Sequence, residues 1–455
     1  MGNLTGFKTT LALLSGVFAF VSACSQQQAT SDVSAAPDWA THLESYFEAL
    51  ADSGEFSGVV LVRKDGETQF HKVWGFADFA AQRPFSADAA VGLASITKSF
   101  TAAAVLQLAK EGKLDLDAPL ADWLPYFPNS ENITIRHLLG HRAGLAELSY
   151  AAVPADAREL EQLVRQIGAR PPLFPPGENQ RYSNAGYVIL AHLVERASDM
   201  AYADYLAEAF FASLELSCIG DLGSPVPTCD LAAPHQPGPP PAYAFRPERR
   251  DPALLAGSGS LYANAEALAV WADYASQQFN FADAEQAPYG WGLDEENSVK
   301  TIFQLGISEG YLASIRVLPE DSLTIVMVGN LENARWIEWA EAAVAISRGE
   351  IRDPAPRPIV DQAPSADERN CLAGRYLLDE SQFVDISADQ NGFWLSPNGL
   401  SVRDYLTPVA DGYDLRRFGG RIETPQMTGS ECPDEIYWRA LPYWGGDVRT
   451  FVREG

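Results

Sequence analysis

The sequence predicts a mixed α/β (α+β) fold followed by a small C-terminal β domain, and three observations support this prediction. An amphipathic helix over residues 38–51 precedes two strands that are joined by a tight turn. A helix over residues 95–112 is apolar on almost every side, so it belongs inside a core. After residue 366, short runs of β-forming residues alternate with turn residues, which is typical of a small β-sandwich or barrel.

The first 37 residues predict export rather than a part of the folded body. An apolar run, Thr9 to Val21, is too short to span a bilayer comfortably and is followed by Ser22-Ala23-Cys24, which resembles a bacterial lipobox. Residues 1–23 are therefore interpreted as a lipoprotein signal peptide, Cys24 as the lipidated first residue and residues 24–37 as a tether. Ser25 gives no inner-membrane retention signal, so an anchor in the outer membrane, on its periplasmic side, is expected. A plain secretory signal with a free cysteine is the alternative, and it also implies export.

Residues 38–74 predict a helix and a hairpin. After the helix, Phe56 to Val62 and Thr68 to Trp74 have the composition of strands, and Lys64-Asp65-Gly66 between them is a turn signal.

The next helix carries the candidate catalytic pair. Ser95 stands where an N-cap or first-turn residue is expected, and Lys110 and Gly112 supply the cation and the stop at the far end. Lys98 lies three residues after Ser95, so the two side chains share one helix face. Burial and the helix dipole disfavour a charged lysine, and a neutral Lys98 can take the proton from Ser95 as its oxygen attacks a carbonyl. The alternative is a capping serine followed by a surface lysine.

A loop before the predicted helix over residues 188–197 carries Tyr182 and Asn184. These two side chains are two residues apart and point the same way. Asn184 can hydrogen-bond a substrate amide or the lysine, and Tyr182 can pass a proton to a leaving group. His137 and His141 are four residues apart, but no third ligand is near, so packing at a helix end is favoured over metal binding.

Residues 301–347 predict three strands and a helix. The strands are Thr301 to Gly306, Tyr311 to Val317 and Leu323 to Val328, and a helix follows over residues 337–347. The segment 306–310 also matches G-x-S-x-G, the nucleophile elbow of α/β-hydrolases. That motif needs a helix directly after its serine and a later histidine. The hairpin pattern and the absence of any histidine after His235 argue against it.

Two proline-rich segments separate these parts. The run 234–252 is expected to pack as an extended loop near the rim of the cleft in which Ser95 is expected to lie, and a helix over residues 264–275 follows it. The prolines within residues 351–365 mark a linker. Residues 366–455 then form the β-rich C-terminal domain, whose predicted strands are 374–377, 384–386, 392–395, 413–416 and 435–439.

Cysteine content and charge limit the possible cofactors and partners. In an oxidising compartment the four cysteines after Cys24 favour two disulfides, and the nearest pairing in sequence joins Cys218 to Cys229 and Cys371 to Cys432. The second bridge would link the first and last strands of the C-terminal domain. Neither a C-x-x-C motif nor a histidine cluster occurs, so we expect no metal and no other cofactor. The net charge of −27 argues against nucleic acid as a partner.

Several motifs taken together resemble the serine β-lactamase-related hydrolases, which include class C β-lactamases, D-alanyl-D-alanine carboxypeptidases, D-aminopeptidases and esterases. The motifs are Phe56-Ser57-Gly58-Val59-Val60, Ser95-Ile96-Thr97-Lys98, the stretch His137 to Leu145, Tyr182-Ser183-Asn184 and Tyr289-Gly290-Trp291-Gly292-Leu293. The resemblance covers roughly residues 40–345. It implies an antiparallel sheet flanked by helices beside an all-helical subdomain, over residues 38–350, with the site between them. The C-terminal domain resembles the lipocalin-like modules of some of these hydrolases.

The resemblance also assigns roles to the site residues. It makes Ser95 the acylated nucleophile, Lys98 its base and Tyr182 the acid/base on the opposite wall. The third family motif normally begins with lysine or histidine, but here the segment that ends at Gly306 has Gln304 at that position. By resemblance, the backbone N–H of Ile307 would join that of Ser95 in an oxyanion hole, whatever its side chain.

These interpretations predict an exported serine hydrolase that cleaves an ester or an amide, in a small molecule or a peptide, through an acyl-enzyme. The alternative is a catalytically weakened relative that binds cell-wall fragments or a partner protein. Because Gln304 offers no cation, we expect carboxylate-bearing substrates such as penicillins to be cleaved less well than short esters or neutral amides. Arg316 would restore the charge if its side chain pointed into the site.

Overall fold

The computed structural model describes residues 38–148, 153, 159–223, 229–240, 244–248, 251–284, 288–296, 299–360, 364–379, 381–398, 403–410, 412–424, 432–439 and 447–454. The predicted signal peptide, Cys24 and the predicted tether lie outside these residues. In the described part of the chain, none of the helices combines the length and the apolar character that a bilayer crossing requires.

The helices of the described residues follow the predicted order. They are α1 (Asp38–Asp52), α2 (Thr97–Lys110), α3 (Ile135–Leu139), α4 (Leu160–Gly168), α5 (Asn184–Ser198), α6 (Tyr202–Leu206), α7 (Ala265–Gln278), α8 (Trp336–Ser347) and α9 (Ala366–Leu372). Helix α5 begins four residues before its predicted start because Ser183 caps it. The Ser183 hydroxyl accepts a hydrogen bond from the N–H of Gly186 at 3.2 Å.

The described strands before residue 330 form one large sheet, a small three-stranded sheet and short two-stranded pairs. They are β1 (Gly58–Lys64), β2 (Glu67–Trp74), β3 (Phe76–Asp78), β4 (Arg83–Pro84), β5 (Val91–Gly92), β6 (Ile219–Asp221), β7 (Gln236–Pro237), β8 (Ala244–Phe245), β9 (Leu261–Ala263), β10 (Gly292–Glu296), β11 (Val299–Ser308), β12 (Tyr311–Leu318) and β13 (Leu323–Gly329). The large sheet is antiparallel and has the order β10-β11-β12-β13-β1-β2. The strands predicted at 56–62, 68–74, 301–306, 311–317 and 323–328 are all confirmed within it.

The two faces of the large sheet bury different cores because neighbouring side chains of a strand point to opposite sides. On β1, Val60 and Val62 pack with α1 and α8. Val59 and Leu61 belong to the larger core, which also contains α2, α5 and α7. Helix α2 is buried along most of its length, as its composition predicts. The sheet and the helical part therefore share one core with α2 between them.

A small three-stranded sheet of β5, β9 and β6 holds the segment that carries Ser95 beside the segment that carries Ser258. Strand β5 leads into the turn that carries Ser95, and β9 follows the segment that carries Ser258. The predicted disulfide Cys218–Cys229 is formed, with Cys218 directly before β6 and Cys229 after it. This bridge restrains the chain beside the small sheet.

The C-terminal domain is a closed barrel, which decides between the two predicted architectures. Its strands are β14 (Gly374–Leu377), β15 (Phe383–Asp389), β16 (Gly392–Pro397), β17 (Asp404–Val409), β18 (Gly412–Leu415), β19 (Arg421–Glu423), β20 (Glu435–Arg439) and β21 (Val448–Arg453). The sequence did not predict β17, β19 or β21. Large apolar side chains such as Tyr376, Phe393 and Phe451 pack together inside the barrel.

The second predicted disulfide, Cys371–Cys432, is formed, but the prediction that it joins the first and last strands of the barrel is wrong. Cys371 lies in α9, before the first strand, and Cys432 precedes β20, which is the seventh strand. The bridge therefore ties the entry helix to a late loop of the barrel.

The barrel packs against the sheet domain through a loop of two arginines after β18. The buried guanidinium of Arg416 donates to the carbonyl of Gly54 at 2.8 Å. Arg417 pairs with Glu332 at 3.2 Å, and the other oxygen of Glu332 accepts from the N–H of Gly310, in the turn after β11. The barrel thus contacts the large sheet near the end of the strand that carries the third family motif. The predicted division of the chain at residues 351–365 stays a prediction.

Candidate active site

Ser95 lies in a short 3₁₀ turn, Ala94–Ile96, between strand β5 and helix α2. Ala94 before it has a φ of +45°, a conformation that is unfavourable for a residue with a side chain. The residue at the N-cap of α2 is Ile96, and it makes no side-chain cap. Of the two expected positions, the N-cap is therefore wrong by one residue, and Ser95 instead lies in the 3₁₀ turn that leads into α2. Because its hydroxyl is not used to cap the helix, it is available to the cleft.

The amine of Lys98 is fully buried and has three neighbours. Its Nζ lies 3.1 Å from Ser95 Oγ, 2.8 Å from Asn184 Oδ1 and 2.7 Å from the carbonyl oxygen of Ser258. Burial lowers the pKa of Lys98 from 10.5 to about 7, and the carboxylate of Glu147 partly opposes this shift. Close to neutral pH, a large share of this lysine is therefore uncharged.

The neighbours of Lys98 fit the neutral amine well. An amide oxygen and a carbonyl oxygen only accept hydrogen bonds, so Asn184 and Ser258 take the two N–H groups of a neutral amine. The remaining lone pair is then directed toward Ser95. The hydroxyl of Ser95 can donate its proton to that lone pair, so the geometry allows Lys98 to act as a base for this serine.

Tyr182 approaches Ser95 from the other side. Its hydroxyl lies 2.7 Å from Ser95 Oγ, and Lys98 Nζ lies 4.8 Å from the centre of its ring. The residue is 54% exposed, so it forms a wall of the cleft while its hydroxyl contacts the serine. Burial raises the pKa of Tyr182 above its ordinary value, which keeps the phenol neutral near pH 7. The structure thus brings the predicted residues Ser95, Lys98, Tyr182 and Asn184 together.

Sequence reasoning missed two groups at this site. The first is the carbonyl of Ser258, in the run of small residues 256–260, where the only available signal was a set of glycines and serines that permits close approach of the backbone. The second is Glu147, whose Oε1 accepts from the N–H of Asn184 at 2.9 Å. No sequence pattern indicates this contact, since Glu147 follows a stretch without regular structure.

The third family motif lies on β11, next to the Ser95 turn. Gly306 packs so closely on the carbonyl of Leu93 that a Cβ atom at this position would lie 2.0 Å from that oxygen. Only glycine fits there, and its absence of a side chain allows β11 to approach the turn. Ile307 follows with 48% of its surface exposed, which fits a position that contributes its backbone rather than its side chain.

Gln304 lines the cleft, but its amide already has partners. Its Nε2 donates to the carbonyl of Gly290, and its Oε1 accepts from the N–H of Leu305 at 3.0 Å. Gly290 itself, at φ +81°, packs on the backbone of Lys98. Gln304 therefore connects β11 to the cleft wall that covers the start of α2.

Arg316 does not supply the missing cation. It lies on β12 opposite Phe303, and it lines a separate cavity beside Tyr46 and helix α8. This cavity is on the face of the sheet that packs against α1 and α8. Arg316 therefore does not point into the site and does not restore the positive charge that Gln304 lacks.

The cleft has a volume of about 920 Å³ and a mixed aromatic and polar lining. No carboxylate belongs to the lining that the described residues provide. Of its two arginines, Arg136 is held by both oxygens of Asp117, at 2.7 and 2.8 Å, and Arg142 donates to the carbonyl of Gly177. The lining residues are Lys98, Arg136, His137, Leu139, Gly140, His141, Arg142, Gly177, Gln180, Tyr182, Pro288, Tyr289, Gly290, Trp291, Gly292, Phe303, Gln304 and Leu305.

The two histidines near the cleft have structural partners, which confirms packing at helix ends. His137 forms a capping box with Thr134 at the start of α3. His141 accepts from the N–H of Ser183 at 3.1 Å, and its ring lies 4.7 Å from that of Tyr182. Burial and the nearby Lys98 lower the pKa of His141 to about 4, so this ring is neutral at pH 7.

The competing nucleophile elbow is not formed. Ser308 ends strand β11, and the chain turns back into β12 instead of entering a helix. The prediction of a hairpin at this place is confirmed.

Comparisons with known proteins agree with this geometry. The family model described as beta-lactamase matches residues 43–345. Penicillin-binding protein 4* of Bacillus subtilis (strain 168) is 34% identical over 176 residues, which are 37% of this chain and 39% of that protein. Esterase EstB of Burkholderia gladioli is 34% identical over 184 residues, 36% of this chain and 47% of that protein. The chain therefore covers less than half of the length of these two relatives.

A D-aminopeptidase of Brucella melitensis biotype 2 matches a longer part, with 23% identity over 424 residues, 84% of this chain and 76% of that protein. Among solved structures, the D-amino acid amidase from Ochrobactrum anthropi SV3 has a TM-score of 0.60 at 18% identity and covers 69% of this chain and 100% of its own. The penicillin binding protein from Bacillus halodurans has a TM-score of 0.56 at 24% identity, and the match covers 67% of this chain and 100% of that protein. These two structures show that the fold is shared.

Proposed function

We propose that this chain, which belongs to the β-lactamase family and is a serine hydrolase, cleaves an ester or an amide through an acyl-enzyme formed on Ser95. The observation that carries the proposal is the arrangement around Lys98. Asn184 Oδ1 and the Ser258 carbonyl accept hydrogen bonds from its Nζ, and Ser95 Oγ lies 3.1 Å from the same atom, where a neutral amine would direct its lone pair. A base and a nucleophile within hydrogen-bond reach are what acyl transfer requires.

The acylation step moves a proton from Ser95 to the leaving group through Lys98 and Tyr182. Lys98 takes the proton of the Ser95 hydroxyl while the oxygen forms a bond to the substrate carbonyl carbon. The Tyr182 hydroxyl, 2.7 Å from the same oxygen, then donates its proton to the departing oxygen or nitrogen and recovers a proton from Lys98. Water later attacks the acyl-enzyme by the reverse sequence of proton transfers, which releases the acid and restores Ser95.

The developing negative charge on the carbonyl oxygen needs donors. The N–H groups of Ser95 and Ile307 are assigned this role, and the tight contact of Gly306 with Leu93 supports the assignment because it places β11 beside the Ser95 turn. This role does not depend on the side chain at position 307.

For the substrate, we favour short esters and neutral amides over penicillins. Gln304 provides a neutral amide where the family motif has a cation, and its nitrogen and oxygen already bond to Gly290 and Leu305. A hydrogen bond from a charged donor to a carboxylate is about twice as strong as one from a neutral donor. The similarity to an esterase and to a D-aminopeptidase supports both substrate types.

The proposed activity is tested with an activated butyrate ester and a D-alanine anilide. The wild type should release the chromophore from at least one of them, and Ser95→Ala should release none. Ser308→Ala, which removes the serine of the rejected elbow, is the matched control and should keep its rate. Loss of activity in Ser308→Ala with full activity in Ser95→Ala would reject the assignment.

We also propose that the protein is exported and anchored to the outer membrane, facing the periplasm, through a lipid on Cys24. The pattern of residues 9–24 supports this proposal. Metabolic labelling with a lipid precursor should tag the wild type and leave Cys24→Ala untagged and released from the membrane. A wild type that carries no lipid would reduce residues 1–23 to an ordinary signal peptide.

A further inference from the structure

Glu147 is a half-buried carboxylate behind the catalytic lysine, and the mechanism above does not use it. We propose that Glu147 is a positioning residue for Lys98: it holds Asn184 against the amine and supplies the negative charge that keeps the amine able to accept a proton. This inference rests on the proposed function of Ser95 and Lys98. It adds a residue that touches neither the substrate nor the serine.

The first support is a chain of hydrogen bonds. Glu147 Oε1 accepts from the backbone N–H of Asn184 at 2.9 Å and lies 3.5 Å from that of Ala185, at the first turn of α5. The side chain of Asn184 in turn accepts from Lys98 Nζ at 2.8 Å. Glu147 therefore fixes the backbone from which the Asn184 amide reaches the lysine.

The second support is the other carboxylate oxygen. Oε2 of Glu147 is buried and has no hydrogen-bond partner among the described residues. A structural cap needs only one oxygen, and a buried, unpaired carboxylate oxygen is unfavourable. A negative charge at this place has a role if it acts on a neighbouring group.

The groups on which this charge acts are Lys98 and Tyr182, and the His141 ring packs against the ring of Tyr182 at 4.7 Å. The carboxylate of Glu147 raises the pKa of Lys98 and that of Tyr182, whereas burial lowers the pKa of Lys98 and that of His141. His141 is neutral at pH 7 and contributes no opposing charge. Without Glu147, burial would act on Lys98 unopposed, and its pKa would fall further below 7.

The direction of this effect separates an electrostatic role from simple structural damage. The free enzyme is active above the pKa of Lys98, so the acid limb of kcat/KM reports this pKa. Glu147→Gln keeps an acceptor for the Asn184 N–H but removes the charge. Its acid limb should move to lower pH by about one unit, which raises the neutral fraction of Lys98 about tenfold at pH values well below the limb. The plateau at high pH should fall, because the lysine has become a weaker base.

The experiment measures kcat/KM from pH 5 to pH 9 for the wild type, Glu147→Gln and Glu147→Asp. Glu178→Gln, which removes an exposed carboxylate from the loop before Tyr182, controls for the loss of one charge and should keep the wild-type profile. Glu147→Asp keeps the charge, so its limb should stay in place although its rate falls. An unchanged limb in Glu147→Gln would overturn the proposal, and so would a shifted limb in Glu147→Asp.

The rate of fluorophosphonate labelling against pH gives a second readout on the same variants. If Glu147→Gln does not fold, Glu147→Asp alone decides, because a limb that moves down while the carboxylate is kept contradicts the charge role. Failure of the proposed function gives a different result: the wild type itself would then not be labelled at Ser95.

Discussion

The pKa of Lys98 gives the sharpest quantitative prediction. A lysine with its ordinary pKa of 10.5 would be neutral in only about one molecule in 3000 at pH 7, whereas a pKa of about 7 makes about half of the molecules neutral. Burial therefore increases the fraction of active base by about three orders of magnitude. The acylation rate should rise tenfold per pH unit below pH 6 and level off above pH 8.

Asn184→Asp tests this assignment directly. It places a carboxylate where an amide oxygen now lies 2.8 Å from Lys98 Nζ, and an opposite charge this close raises a lysine pKa by about 1–3 units. The acid limb should therefore move up to about pH 8–10, and the rate at pH 7 should fall about 5–500-fold. Asn184→Ala removes the same oxygen without adding a charge, so its limb should not move up.

The assay is the pseudo-first-order rate of fluorophosphonate labelling, followed from pH 5 to pH 10 with circular dichroism as a check of folding. The reasoning is refuted if the wild-type rate shows no limb between pH 6 and pH 8. It is also refuted if Asn184→Asp and Asn184→Ala shift the limb in the same direction.

Three further predictions concern the site and the barrel. Lys98→Ala and Tyr182→Phe should each reduce acyl transfer by about 10²–10⁴-fold, and the double variant should lose far less than the product of the two losses, because the two residues handle the same proton; multiplicative losses in steady-state kinetics would contradict the shared role. Gln304→Lys should shift the ratio of kcat/KM toward carboxylate substrates by about tenfold, measured with a cephalosporin against a neutral ester, and an unchanged ratio would show that this position does not select the substrate. Arg417→Gln should lower the free energy of unfolding in urea by about 1–3 kcal/mol, since it removes one partner of the buried Glu332 carboxylate. The exposed control Arg449→Gln should have little effect, and equal losses in the two variants would contradict the role of the Arg417–Glu332 contact.

Much of the fold could be predicted because its signals are local. The periodicities of α1, α2 and the strands of the large sheet are strong, and their predicted ends differ from the structure by a few residues. The missed strands are those with weak local patterns. Strand β17 contains Asp404 and Pro408, and β19 has only three residues. Inside the barrel, the buried carboxylate of Asp404 accepts hydrogen bonds from the N–H groups of Arg417 and Phe418, which are not local in sequence.

The same distinction applies to the site. Ser95 and Lys98 are neighbours by helical spacing, so their contact follows from the sequence. The role predicted for Gln304 came from a family resemblance, as did the place of Tyr182 on the opposite wall, and only the tertiary structure shows that the Gln304 amide bonds to Gly290. Glu147 contacts Asn184 across 37 positions, so a local pattern could not indicate it.

The central claim is that Ser95 is the nucleophile, and mapping a covalent adduct tests it most directly. The mature protein is treated with a fluorophosphonate, digested and analysed by mass spectrometry, beside Ser95→Ala and Ser308→Ala. We expect one adduct, on the peptide that contains Ser95, in the wild type and in Ser308→Ala, and none in Ser95→Ala. An adduct on another residue, or labelling that persists in Ser95→Ala, would contradict the account.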